Sequence, residues 1–244
     1  MERMKIFDKN NFIQQLSVDC VIFGYANGEL KVLVPKLSLK QAHWCLPGGF
    51  IMHEESIDHA ARRILEERTG LKDIFLQQFR VFGGLERSNH LMLESLKMIE
   101  GELRDKGILE TLDLDWLYKR FVSIGYYALV DINKVVPQKT DFHESIAWYN
   151  IKELPQLIID HNEMVDYALA ALRQNLDEKL IGFNLLPDTF TMRDVLELYE
   201  AVYDKRFAPN NFQKKILDLN VLERLEKKFT GAANKAPYLY RFKK

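Results

Sequence analysis

The chain is poor in the features that mark secreted or membrane-bound proteins. Its 244 residues include two cysteines, Cys20 and Cys45, both in strand-like apolar contexts. That count excludes a disulfide-stapled scaffold and predicts buried free thiols in a reducing cytosol. No apolar run approaches the ~20 residues that cross a bilayer, so no membrane partner is expected. The N-terminal stretch MERMKIFDKNNF carries acids and lacks the apolar core of a signal peptide, which favours a cytoplasmic protein. What remains is ordinary for a soluble globular chain with a real core: 47% apolar and 28% charged residues. Its length allows one large domain or two small ones.

Net charge is also nearly absent, at −1, but the balance hides a division. Residues 205–244 hold eleven Lys and Arg against Asp218, Glu223 and Glu226, giving +8 and leaving −9 for residues 1–204. A basic tail on an acidic body points to a polyanion partner for the tail alone.

Apolar patterning divides the chain in the same way. Val18–Tyr25, Asn27-Gly28 and Glu29–Val34 read as a strand, a tight hairpin turn and a strand. Trp44–Gly49 reads as a short strand ending in a glycine turn. Ser56–Thr69 has helical spacing, with Gly70 placed to end it in the left-handed conformation. Phe75–Gly84, Phe121–Ile132 and Ala147–Ile151 read as further strands. Asp160 or Asn162 is placed to cap a helix over Glu163–Asn175. Residues 88–119 break the pattern with amphipathic helical spacing and read as an insertion, a lid or a dimer contact. These features predict an α/β domain over residues 1–180.

Beyond residue 180 the pattern becomes helix, turn, helix and hairpin. Thr189 or Thr191 can cap a helix over Met192–Tyr203. Asn211–Leu219 forms a second helix, with Phe212, Ile216 and Leu219 inward and Asn211, Gln213 and Lys214 outward. The strands Val221–Leu225 and Tyr238–Phe242 flank a basic loop. That order is the one found in a winged helix-turn-helix, assigned to residues 181–244. Asn211, Gln213, Lys214 and Lys215, with Arg193 on the first helix, are the candidates for reading DNA. Lys227, Lys228, Lys235 and Arg241 are the wing candidates for phosphate contact.

One segment carries a more specific pattern. Gly49, Glu55, Arg63, Leu65, Glu67, Gly70 and Leu71 fall in register with G-x5-E-x7-R-E-U-x-E-E-x-G-U, where U is bulky and apolar. This resembles the Nudix box, a pyrophosphatase motif whose helical glutamates converge on Mg²⁺. Here Ile64 and Arg68 stand where two of those glutamates belong. Glu66 is no substitute, because one step along a helix turns a side chain about 100° away. The expectation is a degenerate, non-catalytic box with no metal and no cofactor.

With both halves considered, the chain resembles the Nudix-related transcriptional regulators of the NrtR and AraR type. The resemblance rests on SVDCVIFGY (17–25), the degraded box (49–71), GGLER (83–87), SIGYYALVDI (123–132) and ELPQLIIDHNEMVDYAL (153–169). It continues through GFNLLPDTFTMRDVLELYEAVY (182–203) and NNFQKKILDLNVLE (210–223). It implies an α+β protein, a Nudix-like α/β/α sandwich followed by a winged helix-turn-helix. It also implies a homodimer that binds a palindromic DNA operator and releases it to a small effector. SVDC, DHNEMVD and GFNLLP are closer to the sugar-responsive branch than to the NAD-metabolism branch, so a small sugar such as a pentose is the expected effector and carbohydrate utilisation the expected process. The alternatives are an ADP-ribose or NAD sensor and an active hydrolase of nucleoside diphosphate derivatives. Asp19, Glu86 and Arg87 have the chemistry to hold sugar hydroxyls, and Gly48 and Gly49 would permit close backbone approach. Glu67, His43 and Tyr126 are secondary candidates. The competing reading makes Asp19 and Glu86 partners of Arg63 or Arg87 in structural ion pairs.

Overall fold

One long strand organises the fold. The structure, a computed structural model, describes residues 9–39, 42–85, 87, 97, 100, 116, 119–140, 142–178, 181–228 and 236–243. Strand β1 runs Phe12–Ala26, longer than the apolar run alone predicts, because one of its edges serves two partners in succession. Its far end, Phe23–Ala26, pairs with β2 (Glu29–Leu37) across a tight turn at Asn27-Gly28. Both turn residues have positive φ, 55° and 77°, which matches the right-handed twist of the strands. The nearer stretch, Ser17, Val18 and Asp19, lies opposite Phe50, Gly49 and Gly48 of β3 (Gly48–Met52). The sheet therefore forks at Cys20, whose N–H donates to the Pro47 carbonyl at 2.8 Å.

Helix α1 (Ile57–Thr69) starts where Ser56 accepts the His59 N–H and stops at Gly70, φ 71°, as its sequence predicts. β4 (Phe75–Phe82), β5 (Val122–Val130) and β6 (His143–Asn150) complete a mixed sheet ordered β4-β5-β1-β2-β6, with β3 on β1. Among these strands only β1 and β5 pair in parallel. Alternation along β1 assigns its faces. Val18, Cys20 and Ile22 pack with Ala60, Ala61, Ile64 and Leu65 of α1. Val21 and Phe23 pack with Met164, Val165, Ala168 and Leu172 of α2 (His161–Glu178) on the other side. This is the expected α/β/α sandwich. Of the 88–119 insertion, Trp116 is buried: its ring lies 4.7 Å from Phe50 and 4.9 Å from Phe121, and its Nε1–H donates to Gln14. The rest, apart from Lys97, Glu100 and Lys119, falls outside the described residues.

The C-terminal unit follows its predicted order with one addition, a short strand β7 (Phe190–Thr191). Thr191 then caps α3 (Met192–Tyr203) in a reciprocal box with Asp194. Pro209 opens α4 (Pro209–Asp218), and β8 (Leu222–Lys227) and β9 (Tyr238–Phe242) close a three-stranded sheet ordered β7-β9-β8. Phe212 and Ile216 are buried as expected. Leu219 is not: α4 ends at Asp218, so Leu219 leaves the helix face and stands 40% exposed. A single apolar cluster runs from Val21 through α2 to Val195, Leu198 and Tyr240, so the two units share a core. Arg173 of α2 adds a polar tie by donating to the Val202 carbonyl at 2.7 Å.

Candidate functional site

Glycines at the fork serve close approach. Gly48 and Gly49 were expected to form a tight turn; instead they open β3, and neither has positive φ. A Cβ on Gly48 would sit 2.3 Å from Asp19 Oδ1, and one on Gly49 would sit 3.0 Å from the Ile64 side chain. Both backbones are pressed onto neighbours, as packing at this density requires.

On the α2 side, the fork closes over a buried charge cluster. Ser123 donates its hydroxyl to Asp19 Oδ2, and Arg87 Nη2 lies 3.5 Å from the same oxygen. Arg87 Nε donates to Asp160 at 2.9 Å, and its Nη1 donates to the Phe121 carbonyl at 3.0 Å. His161 Nδ1 accepts the Leu46 N–H at 2.9 Å, which puts the ring proton on Nε2, facing Asp19 Oδ1 at 3.9 Å. Burial lowers the His161 pKa and keeps the ring neutral, against the pull of Asp19. Asp160 thus grips Arg87 rather than capping α2, and Asn162 turns back to accept the Leu157 N–H. Ser123, Asp160 and His161 were not among the expected site residues. The adjacent Asp160-His161 pair was the one signal in the sequence, and it reads more readily as a helix start than as a functional pair.

On the α1 side lies the altered box. Arg63 donates from Nε and Nη2 to Glu55 at 3.0 and 2.6 Å, and from Nη2 to the Phe50 carbonyl at 2.9 Å. Burial opposes ionisation of Glu55, yet the bonds from Arg63 and from the Met52 N–H hold its carboxyl below the ordinary value. The loop-to-helix clasp of the motif is therefore intact. Its metal face is not. Ile64 is 1% exposed and packs on Gly49. Glu67 lies between Arg63 at 3.3 Å and Arg68 at 3.7 Å. A lone carboxylate flanked by two guanidiniums does not fit a hard dication, and among the described residues no cluster of three His, Cys, Asp or Glu could hold a metal.

The expected effector residues do not converge on one pocket, because the sheet separates them. Asp19, Arg87 and Gly48 gather in the closed cluster. Glu67 and Tyr126 belong to the α1 side, where Tyr126 donates to Asp58 and burial, together with that carboxylate, raises its pKa. His43 is half-buried in the loop that leaves the fork, its carbonyl accepting the Leu37 N–H. Glu86 lies outside the described residues. Cys20 and Cys45 are buried free thiols, and burial raises the Cys45 pKa to about 12.

In the C-terminal unit, α4 turns Asn211, Gln213, Lys214 and Lys215 to solvent. Lys228 is exposed as well. Arg193 is exposed but bonded to Glu197 at 2.7 Å, and Arg241 to Glu223 at 2.7 Å. Lys227 is half-buried, with its ammonium 5.4 Å from the Tyr238 ring centre. Lys235 falls outside the described residues. Among the described residues, no helix is long and apolar enough to cross a membrane.

A mixed sheet between two helices, with the Glu55–Arg63 clasp at the head of the first, defines a Nudix domain. Residues 14–168 match the NUDIX domain, and the chain belongs to that family. Residues 182–242 match the NrtR DNA-binding winged helix domain. The ADPR responsive transcriptional repressor NtrR of Acinetobacter baylyi is 24% identical over 234 residues, covering 93% of this chain and 81% of its own length. The Shewanella oneidensis NrtR structure in complex with a 27mer DNA superposes with a TM-score of 0.70 at 22% identity, covering 94% of each chain. A MutT/nudix family protein from Enterococcus faecalis gives 0.67 at 18% identity, over 95% of this chain and 87% of its own. The two-unit fold is thus shared over more than nine-tenths of the chain. The Acinetobacter and Shewanella relatives carry the NrtR-type name, not that of the sugar-responsive branch which the short phrases suggested. Those phrases fall on the fork, the start of α2 and the entry to the winged helix, where packing shapes sequence whatever the ligand.

Proposed function

We propose that the chain is a DNA-binding repressor whose Nudix domain senses ADP-ribose or a related NAD-derived nucleotide. The observation that carries this reading is the exposed polar and cationic face of α4, set on a domain that matches the NrtR winged helix. The name of the Acinetobacter relative supplies the ligand class, and it displaces the pentose expected from sequence. Two copies would present two α4 helices to a palindromic operator, with half-sites about one helical turn (~34 Å) apart. The apolar cluster shared through α2 is the path by which ligand in one unit changes the seating of the other. Ligand shifts that equilibrium only through its different affinity for the two seatings.

The same reading makes the protein catalytically silent. With Mg²⁺ or Mn²⁺ and ADP-ribose, turnover should not exceed that of a Glu67→Ala variant. A robust rate lost in that variant would favour a hydrolase. The direct test is fluorescence anisotropy on an operator selected from random-sequence DNA. ADP-ribose should release the DNA and raise the melting temperature, as a ligand of the folded state must. If arabinose does both and ADP-ribose neither, the sugar-responsive branch is restored.

A further inference from the structure

Arg68 is the least satisfied charged group in the described fold. It is 9% exposed, and its Nε has no hydrogen-bond partner. Among the described residues its one ionic contact is Glu67 at 3.7 Å, longer than a hydrogen bond, and Glu67 is already shared with Arg63. The guanidinium lies near the buried thiols of Cys20 and Cys45 and near His143, beside the fork of the sheet. None of these supplies an anion: burial raises both thiol pKa values and lowers that of His143 to about 4, so all three are neutral near pH 7. Burying a guanidinium N–H without an acceptor is costly, and natural proteins tolerate such a group where a ligand completes it.

Its address gives the ligand's chemistry. Arg68 occupies the box position whose glutamate would help to hold Mg²⁺, so a fixed cation stands where a metal-binding anion is expected. A guanidinium is always charged, and its planar fork matches phosphate oxygens in pairs. We propose that Arg68 takes the place of the metal and receives the diphosphate group of the effector directly, making effector binding independent of divalent cation. This rests on the nucleotide reading above for the effector, though the anion site itself does not require it. It also gives the degenerate box a use: the change that removes a metal ligand installs a diphosphate receptor.

The test is titration calorimetry of the full chain in EDTA, with ADP-ribose and, separately, inorganic pyrophosphate. Wild type should bind both without added cation. Arg68→Met should weaken both by roughly 10- to 100-fold, as expected for lost charge-assisted bonds, and Arg68→Lys should fall between. Ligand-free Arg68→Met should melt no lower than wild type, because it removes a buried cation with an unpartnered Nε and only a long ionic contact; a clear drop would mark a structural arginine and overturn the proposal. A requirement for Mg²⁺, or unchanged binding in Arg68→Met, would overturn it too while leaving ADP-ribose as the effector. Arg68-dependent pyrophosphate binding without ADP-ribose binding would keep the anion site and remove the nucleotide reading. Binding of neither probe would remove both. If Arg68→Met does not fold, the wild-type titration in EDTA and the Lys variant decide.

Discussion

Each face of the central sheet buries an arginine, and the two are treated differently. On the α2 side, Arg87 spends its donors on Asp160 and the Phe121 carbonyl and lies beside Asp19, which also accepts from Ser123. On the α1 side, Arg68 is nearly as buried and has Glu67 at a distance. Each segment at the first site (β1, β5 and the start of α2) brings a group that answers another. At the second, the surroundings are two thiols, a neutral imidazole and a Glu67 already shared with Arg63. Low dielectric makes a satisfied network rigid and an unsatisfied one costly, so the first arrangement belongs to the scaffold and the second awaits a partner.

The largest expected effect comes from breaking the closed side. Arg87→Met would leave Asp19 and Asp160 facing each other without a cation, and removing one partner of a buried pair costs ~3–5 kcal/mol. Urea denaturation should show that loss, while Arg68→Met shows none. Equal losses at the two sites would erase the distinction between them.

A smaller effect tests how far the open side has moved from metal chemistry. Ile64→Glu replaces an apolar side chain packed on Gly49 with a buried carboxylate, at a cost of roughly 2–4 kcal/mol. Combined with Arg68→Glu, it recreates the carboxylate face, and Mg²⁺ should then recover part of the lost melting temperature. A double variant indifferent to Mg²⁺ would show that the backbone at the fork, as well as the side chains, has departed from the metal site.

The contrast also explains what was legible beforehand. The apolar run of β1 and the three- and four-residue steps on α1 and α3 locate most of the elements, because they are properties of neighbours in sequence; yet β1 begins at Phe12, well before that run, and the start of β3 reads as a turn. The two losses in the box were equally visible, since a motif fixes register. The fork was not visible: nothing in Val18–Tyr25 states that one edge of a strand will change partners. Nor was the closed cluster as a whole. Arg87, Ser123 and Asp160 lie far apart in sequence, and only the sheet brings them to Asp19, although the pairing of Asp19 with Arg87 was one of the two readings those residues allowed. The glycines show the same limit, for Gly48 and Gly49 read as a turn when their neighbours in space remain unknown.

On the C-terminal unit the comparison becomes one between readers and holders of DNA. Gln213 projects from α4, the helix that the proposed function sets against base edges; Lys228 follows β8 at the foot of the wing. Gln213→Ala should cost roughly 1–3 kcal/mol of discrimination between operator and random DNA, with little change in non-specific binding. Lys228→Ala should weaken both alike and lower the magnitude of the salt slope by about one. Anisotropy over a salt series separates the two, and a wing variant that alters operator preference alone would overturn the division.

The smallest expected effect reports directly on the open side. His143 Nδ1 accepts the Thr140 N–H at 3.2 Å, and burial, then the charge of Arg68, lowers the ring's pKa to about 4. The unfolded value is about 6.5, so the unfolded chain binds the proton first. The stability this neutral ring contributes is therefore fully present above about pH 6.5 and is lost as pH falls from there toward the folded value. Removing the cation in Arg68→Met should move the folded pKa upward and narrow that window, with burial still holding it below 6.5. Pyrophosphate bound at Arg68 should act in the same direction, because an anion offsets the guanidinium that opposes protonation. Ring resonances of His143 followed by NMR across pH 3–7 measure all three states. A His143 titration unmoved by both the variant and the ligand would place the guanidinium and its anion away from this histidine, and the open side would lose its reporter.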